Sequence, residues 1–152
     1  MESIRDFMAG HHRQCDDYFA VVEQVIASAD WAAADQAFSE YQRAMESHFD
    51  AEEATLFPLF EAQTGMSRGP TQVMRAEHAQ IRELIAAASA ALVARDVDDY
   101  SGYAETLLIM TQQHNMKEEN ILYPMCDRHL IYQLDQLVPQ LRGEIGADAT
   151  AK

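Results

Sequence analysis

The segment His48-Phe-Asp-Ala-Glu52-Glu53-Ala-Thr-Leu56-Phe-Pro58 returns later in the chain as His114-Asn-Met-Lys-Glu118-Glu119-Asn-Ile-Leu122-Tyr-Pro124. His78 stands as far after His12 as His114 stands after His48, so the repeat takes in a second histidine. Each copy therefore holds one histidine and, at the same separation, the pattern His-x-x-x-Glu-Glu-x-x-Leu-aromatic-Pro. Two imidazoles and a carboxylate preserved in each copy read as half of a two-metal site, written twice. Duplicated helical hairpins can bury such a site between them.

Working outward from the repeat, apolar residues recur three or four apart, as in Tyr18, Val21, Val22 and Val25, or Ile81, Leu84, Ile85, Ala88 and Leu92. This is a helical period, and no stretch alternates like a strand. Ser3 is placed to cap a first helix reaching about Ala29, and Asp30 a second that stops at Gly65, with Pro58 bending it near its end. Pro70 suits the first position of a third helix. Asp96 or Asp98 starts a fourth, in which Pro124 repeats the place of Pro58. A short fifth helix is predicted over roughly 130–141. The predicted fold is all-α, an up-down-up-down four-helix bundle over residues 1–142 with this short C-terminal helix, followed by a frayed tail over 143–152.

The spacing makes a geometric prediction. Asp30 lies midway between His12 and His48, Asp96 lies midway between His78 and His114, and all four intervals are equal. At roughly 1.5 Å per residue, all four imidazoles sit about 27 Å from their turns, in one layer. His48 and Glu52, like His114 and Glu118, are one helical turn apart and share a face. Leu56 and Leu122 continue those faces, which marks them as inward.

Composition narrows the function. A chain of 152 residues can bury a core as one domain. A net charge of −14 excludes the basic surface that nucleic acid or an anionic membrane requires. The longest apolar run, Leu84 to Ala94, is too short to span a bilayer. Two cysteines, Cys15 and Cys126, have no ligand or disulfide-framework spacing, and the N-terminus has no signal-like apolar core. A cytoplasmic location is the expectation.

Two carboxylates and four imidazoles in a bundle core would be costly without a counter-charge. A pair of metal ions supplies it, with His12, His48, His78 and His114 ligating and Glu52 and Glu118 bridging. Nitrogen and carboxylate donors without thiolate suit iron, with manganese or zinc as alternatives. Glu-x-x-His, the signature of the other common diiron bundle, does not occur.

The set His12, His48-x-x-x-Glu52-Glu53, Glu77-His78 and His114-x-x-x-Glu118-Glu119 resembles the hemerythrin-like HHE cation-binding domain over about residues 8–128. The resemblance implies a four-helix bundle around two non-haem iron ions with an oxo or hydroxo bridge. It makes Glu52 and Glu118 bridging ligands and the four histidines terminal ones. The second histidine that oxygen-carrying hemerythrins place on the third helix corresponds to Arg82. The resulting four-His, two-Glu set is similar to that of the iron-centre repair proteins of the wider family.

Neighbouring residues carry further expectations. The repeat partner of His11 is Glu77, so His12 is preferred as the ligand, with His11 exposed or behind the ligands. Glu53 and Glu119 either orient the ligands or form solvated helix faces. Met8 and Met74, themselves repeat partners, wall the carboxylate side, and Met110 lies on the other. Cys15 reads as a buried thiol and His129 as structural or solvent-facing. Asp16 and Arg82 are predicted to pair across the bundle, with Asp16 as an extra ligand the alternative.

The expected partner is a small ligand (O2, NO or a peroxide) bound for sensing, storage or detoxification. An enzyme reducing NO or decomposing peroxide with an electron donor is the second reading. An iron reservoir or iron-responsive module is the third.

Overall fold

The Ser3 side chain accepts a hydrogen bond from the Asp6 amide and starts α1, Ile4–Ala27. Asp30 and Asp96 do the same for α2 (Trp31–Ala51) and α5 (Val97–Lys117), accepting from Ala33 and Asp99. Each cap supplies a partner for one of the donors that a helix start leaves unpaired. Between these helices lie α3 (Phe57–Thr64), closed by left-handed Gly65 at φ 74°, and α4 (Pro70–Val93), opened by Pro70. After α5 come α6 (Tyr123–His129) and α7 (Leu134–Ala149). The structure, a computed structural model, describes residues 1–149, with side chains to residue 146. It is an all-α bundle.

The repeat extends to the turns. Ala29 and Arg95, equivalent positions of the two copies, are the two non-glycine residues with positive φ (56° and 59°) among the described residues. Both hairpins therefore reverse through one left-handed residue followed by an aspartate cap. Arg95 ties the two turns together, binding Asp35 through both guanidinium nitrogens at 2.7 and 2.9 Å and lying over Trp31.

Each proline of the repeat, Pro58 and Pro124, leaves a wider mark than a bend. Immediately before α3 and α6, the chain makes one π-helical turn, Glu52–Leu56 and Glu118–Leu122. The Phe57 amide bonds the Glu52 carbonyl, and the Tyr123 amide the Glu118 carbonyl, in the wider register of a π-turn. Pro58 and Pro124 lack the N–H of the ordinary ladder, and their rings would meet the carbonyl one turn earlier. Widening by one residue removes the clash, and such turns concentrate at functional sites. Here both begin on a glutamate of the repeat. The extra residue also turns adjacent side chains inward, so Leu56 and Phe57 are both fully buried.

Helix α1 packs on α2, α5 and α6, while α4 packs on α5 and α2. Thus α1 and α4 stand on a diagonal. Two apolar clusters fill the bundle. Phe19, Phe38, Tyr41, Ile85, Tyr100 and Leu107 occupy the turn end. Met8, Leu56, Phe57, Met74, Leu122 and Leu141 occupy the other. Each large side chain so buried contributes about 1.5–3 kcal/mol. Met110 packs against the turn-end cluster, across the layer from Met8 and Met74, as the repeat implied.

The fifth helix differs from its expected span. It starts at Leu134 and continues to Ala149, laying Leu137, Leu141 and Ile145 against the lower cluster. Ile145, inside the expected tail over 143–152, is fully buried and packs into the cluster away from the turns. Residues 150–152 of that tail lie outside the described residues. Among the described residues, no helix is long and apolar enough to cross a membrane.

Candidate metal centre

His12 on α1, His48 on α2, His78 on α4 and His114 on α5 are each at most 4% exposed, and Glu52 and Glu118 are fully buried. All six meet between the two apolar clusters. Every imidazole turns Nε2 inward. His12 Nε2 lies 3.2 Å from His48 Nε2 and 3.1 Å from Glu118 Oε1. His78 Nε2 lies 3.0 Å from Glu52 Oε1, and His114 Nε2 lies 3.4 Å from Glu118 Oε1. Two sets of donors result, Glu52–His78–His114–Glu118 and His12–His48–Glu118, with Glu118 common to both.

The outward Nδ1 atoms are held as well. Glu119 accepts from His12 at 2.7 Å, Glu53 from His78 at 2.6 Å and Glu77 from His114 at 2.8 Å. A carboxylate behind an imidazole fixes its ring and raises its basicity as a ligand. Glu53 and Glu119 each reach into the opposite copy of the repeat, whereas Glu77 acts within its own. Cations hold two of these carboxylates in turn. Arg82 binds Glu53 at 2.8 Å and Lys117 binds Glu77 at 2.5 Å.

His48 has a different partner. Its Nδ1 lies 2.9 Å from Nδ1 of His11, and the rings stack at 5.1 Å, 8° from parallel. His11 is only 6% exposed. Of the two positions expected for it, the exposed one is corrected: the bundle closes over its ring, which stands behind the His48 imidazole. Burial, then the neighbouring His48 and His12 charges, lower its pKa to about 3, so it stands neutral. Donation from His48 Nδ1 to His11 Nδ1 leaves the His48 Nε2 lone pair facing inward.

The expected Asp16–Arg82 pair is overturned. Arg82 binds Glu46 and Glu53 and lies 3.5 Å from Asp50. All three carboxylates belong to the α2 side, which α4 faces. Asp16 sits on α1, across the diagonal, where the residues felt by its carboxyl are His12, Asp17 and Glu119. A pair between α1 and α4 would have to pass through the layer itself. Asp16 belongs to neither set of converging donors. His129 is exposed and edge-on to Phe60, and Cys15 is a buried thiol 3.8 Å from His11 Nδ1.

Tyr123 enters the site without having been anticipated. Fully buried, its hydroxyl donates toward Glu52 Oε2 at 2.6 Å and Glu118 Oε1 at 2.9 Å. Its oxygen also lies 3.2 Å from His48 Nε2 and 3.3 Å from His12 Nε2. The sequence signal was the repeat itself, where Phe57 of one copy becomes Tyr123 in the other.

The electrostatics fit a cation. Burial alone would lower the pKa of His12, but hydrogen bonds to Glu118 and Glu119 outweigh it and raise the value to about 9. For His78, Glu52 and Glu53 likewise overcome burial, again to about 9. Burial works to raise the Glu52 pKa, yet the surrounding imidazoles hold it well below the carboxylate range. Burial pushes the Tyr123 phenol upward.

The layer thus stabilises positive charge against its carboxylates. Even so, Glu52 Oε1, His78 Nε2, His114 Nε2 and Glu118 Oε2 lack hydrogen-bond partners. The 3.0 Å approach of His78 to Glu52 is close but not aligned for a hydrogen bond. Atoms that converge without bonding one another suit coordination to a shared ion.

A helical bundle with a buried layer of imidazoles and carboxylates defines a class of cation-binding proteins. The chain belongs to the hemerythrin family, the hemerythrin HHE cation binding domain model matching residues 3–126. No curated protein and no solved structure gives a match. Family and buried cluster together point to metal binding.

Proposed function

We propose that the protein holds two iron ions between its repeats and binds O2 or a related small ligand (NO or a peroxide) there, for sensing, storage or detoxification. His78, His114 and Glu52 would hold one ion and His12 and His48 the other, with Glu118 offered to both. The observation that carries this reading is the set of inward Nε2 and carboxylate atoms left without hydrogen bonds in a sealed layer. The donor chemistry, nitrogen and oxygen without thiolate, favours iron over softer metals.

Bound iron would supply a change of oxidation state and coordination positions that six side chains do not fill. The chain's own residues do the rest. Glu53, Glu77, Glu119 and His11 fix the rings so that each Nε2 lone pair points inward. The two apolar clusters exclude bulk water and limit the site to small ligands. A groove of about 480 Å³, lined by Phe7, Gly10, Arg13, Arg142 and Ile145, ends at His11, one imidazole from the layer. It would bring a small ligand from solvent to within one side chain of the layer.

The test is absorption of the iron-loaded protein under nitrogen and after adding O2, NO or hydrogen peroxide. A stoichiometric spectral change reversed on removing the ligand is expected. No change with any of the three contradicts the proposal. Sustained ligand consumption with an electron donor would replace binding by catalysis.

A further inference from the structure

The two sets of donors are unequal: four side chains surround the position at His78 and His114, but three surround the one at His12 and His48. We infer that Tyr123 completes the smaller set, its phenolic oxygen serving as a direct ligand to the ion held by His12, His48 and Glu118. This inference rests on the metal-site reading above.

Geometry carries the assignment. The atoms concerned are His12 Nε2, His48 Nε2, Glu118 Oε1 and the Tyr123 oxygen. Five of their six mutual separations are 3.2, 3.1, 3.3, 3.2 and 2.9 Å. The centre of a regular tetrahedron with such edges lies roughly 1.9 Å from each corner, close to the ~2.0–2.2 Å of nitrogen and oxygen ligands on a divalent ion. Four polar atoms of four different helical segments are thus spaced as a coordination shell.

Hydrogen bonding alone explains the phenol less well. Its one O–H can serve one acceptor at a time, yet Glu52 Oε2 and Glu118 Oε1 both lie within 2.9 Å. In the other copy the same position is Phe57, fully buried and without a polar atom to offer. The position served by four side chains needs no fifth. On coordination the metal–oxygen bond replaces the O–H bond, and the proton leaves to solvent as other ligand protons do.

The experiment compares the full chain with Tyr123→Phe, both reconstituted with ferrous iron under nitrogen and then oxidised. Circular dichroism before loading checks the fold; Phe57 shows that a phenyl ring fits the equivalent place. Chelator competition reads each metal equivalent, and resonance Raman spectra of the oxidised parent read phenolate ring modes. The expected result is enhanced tyrosine modes in the parent and their loss in the variant. One of two equivalents should be weakened by about tenfold or more and the other held as before.

The inference is overturned if the parent holds two irons without tyrosine modes, or if the variant holds both with parental affinity. A parent that takes up no iron overturns the metal-site reading and this inference with it. Should the variant not fold, the parent's Raman spectrum still decides.

Discussion

The first half of the chain and the second are built on one plan and finished differently. Both reverse through a left-handed residue, both place a histidine on each helix of a hairpin, and both widen into a π-helical turn at a glutamate. Two of their differences lie next to the converging donors. Behind the inward-facing imidazoles, Glu77 supports His114 but His11 supports His48. Below the layer, Phe57 is only apolar while Tyr123 reaches four polar atoms. What the halves share assembles the donors, and what they do not share makes the two positions unequal. The His78–His114 position has carboxylates behind both rings. The other has one carboxylate, one neutral imidazole and a phenol.

The largest effect is expected from breaking what the halves hold in common. Glu118 belongs to both sets of donors, so Glu118→Ala should remove iron from both positions. Metal analysis of the purified variant measures this; retention of both ions would contradict the shared role.

The next effect separates the halves. Glu77→Gln removes the carboxylate behind His114 and should weaken one metal equivalent about 10–100-fold. His11→Ala acts on the opposite equivalent, and more weakly, since a neutral imidazole polarises its partner less than a carboxylate does. Chelator competition on both variants reads the order, and equal losses would show that the two positions are alike.

The smallest effect tests the shared turns. Ala29→Gly relieves a left-handed alanine, and Gly replaces Arg95 less cleanly because Arg95 also binds Asp35. Relief of the backbone cost is worth about 1 kcal/mol, less the added freedom of the unfolded chain. Ala29→Gly should therefore raise the melting temperature slightly, and Arg95→Gly should not. Thermal unfolding followed by circular dichroism distinguishes them.

Much of the site was legible because the repeat converts sequence spacing into depth. Equal distances from Asp30 and Asp96 set four histidines at one level before any packing was known. The same arithmetic is blind to angle across the bundle. It treated Asp16 and Arg82 as neighbours because they are repeat partners, although α1 and α4 occupy a diagonal and Arg82 meets Glu46 and Glu53 instead. His11 could not be placed either, because two adjacent helical residues were taken to face different environments. Here the bundle wraps far enough around α1 to bury both. The π-helical turns were hidden because a proline signals only a lost donor, and the ladder can answer by bending or widening. Tyr123 was visible as an exception to the repeat, but its reach depends on that widened turn.

In the proposed reading, the two halves close on one site for two ions. Iron per chain, measured after anaerobic reconstitution and removal of loosely bound metal, tests it most directly in the parent, His78→Ala and His114→Ala. Two irons are expected in the parent and about one or fewer in each variant. A parent holding less than one iron, or variants that keep the parental amount, would contradict it.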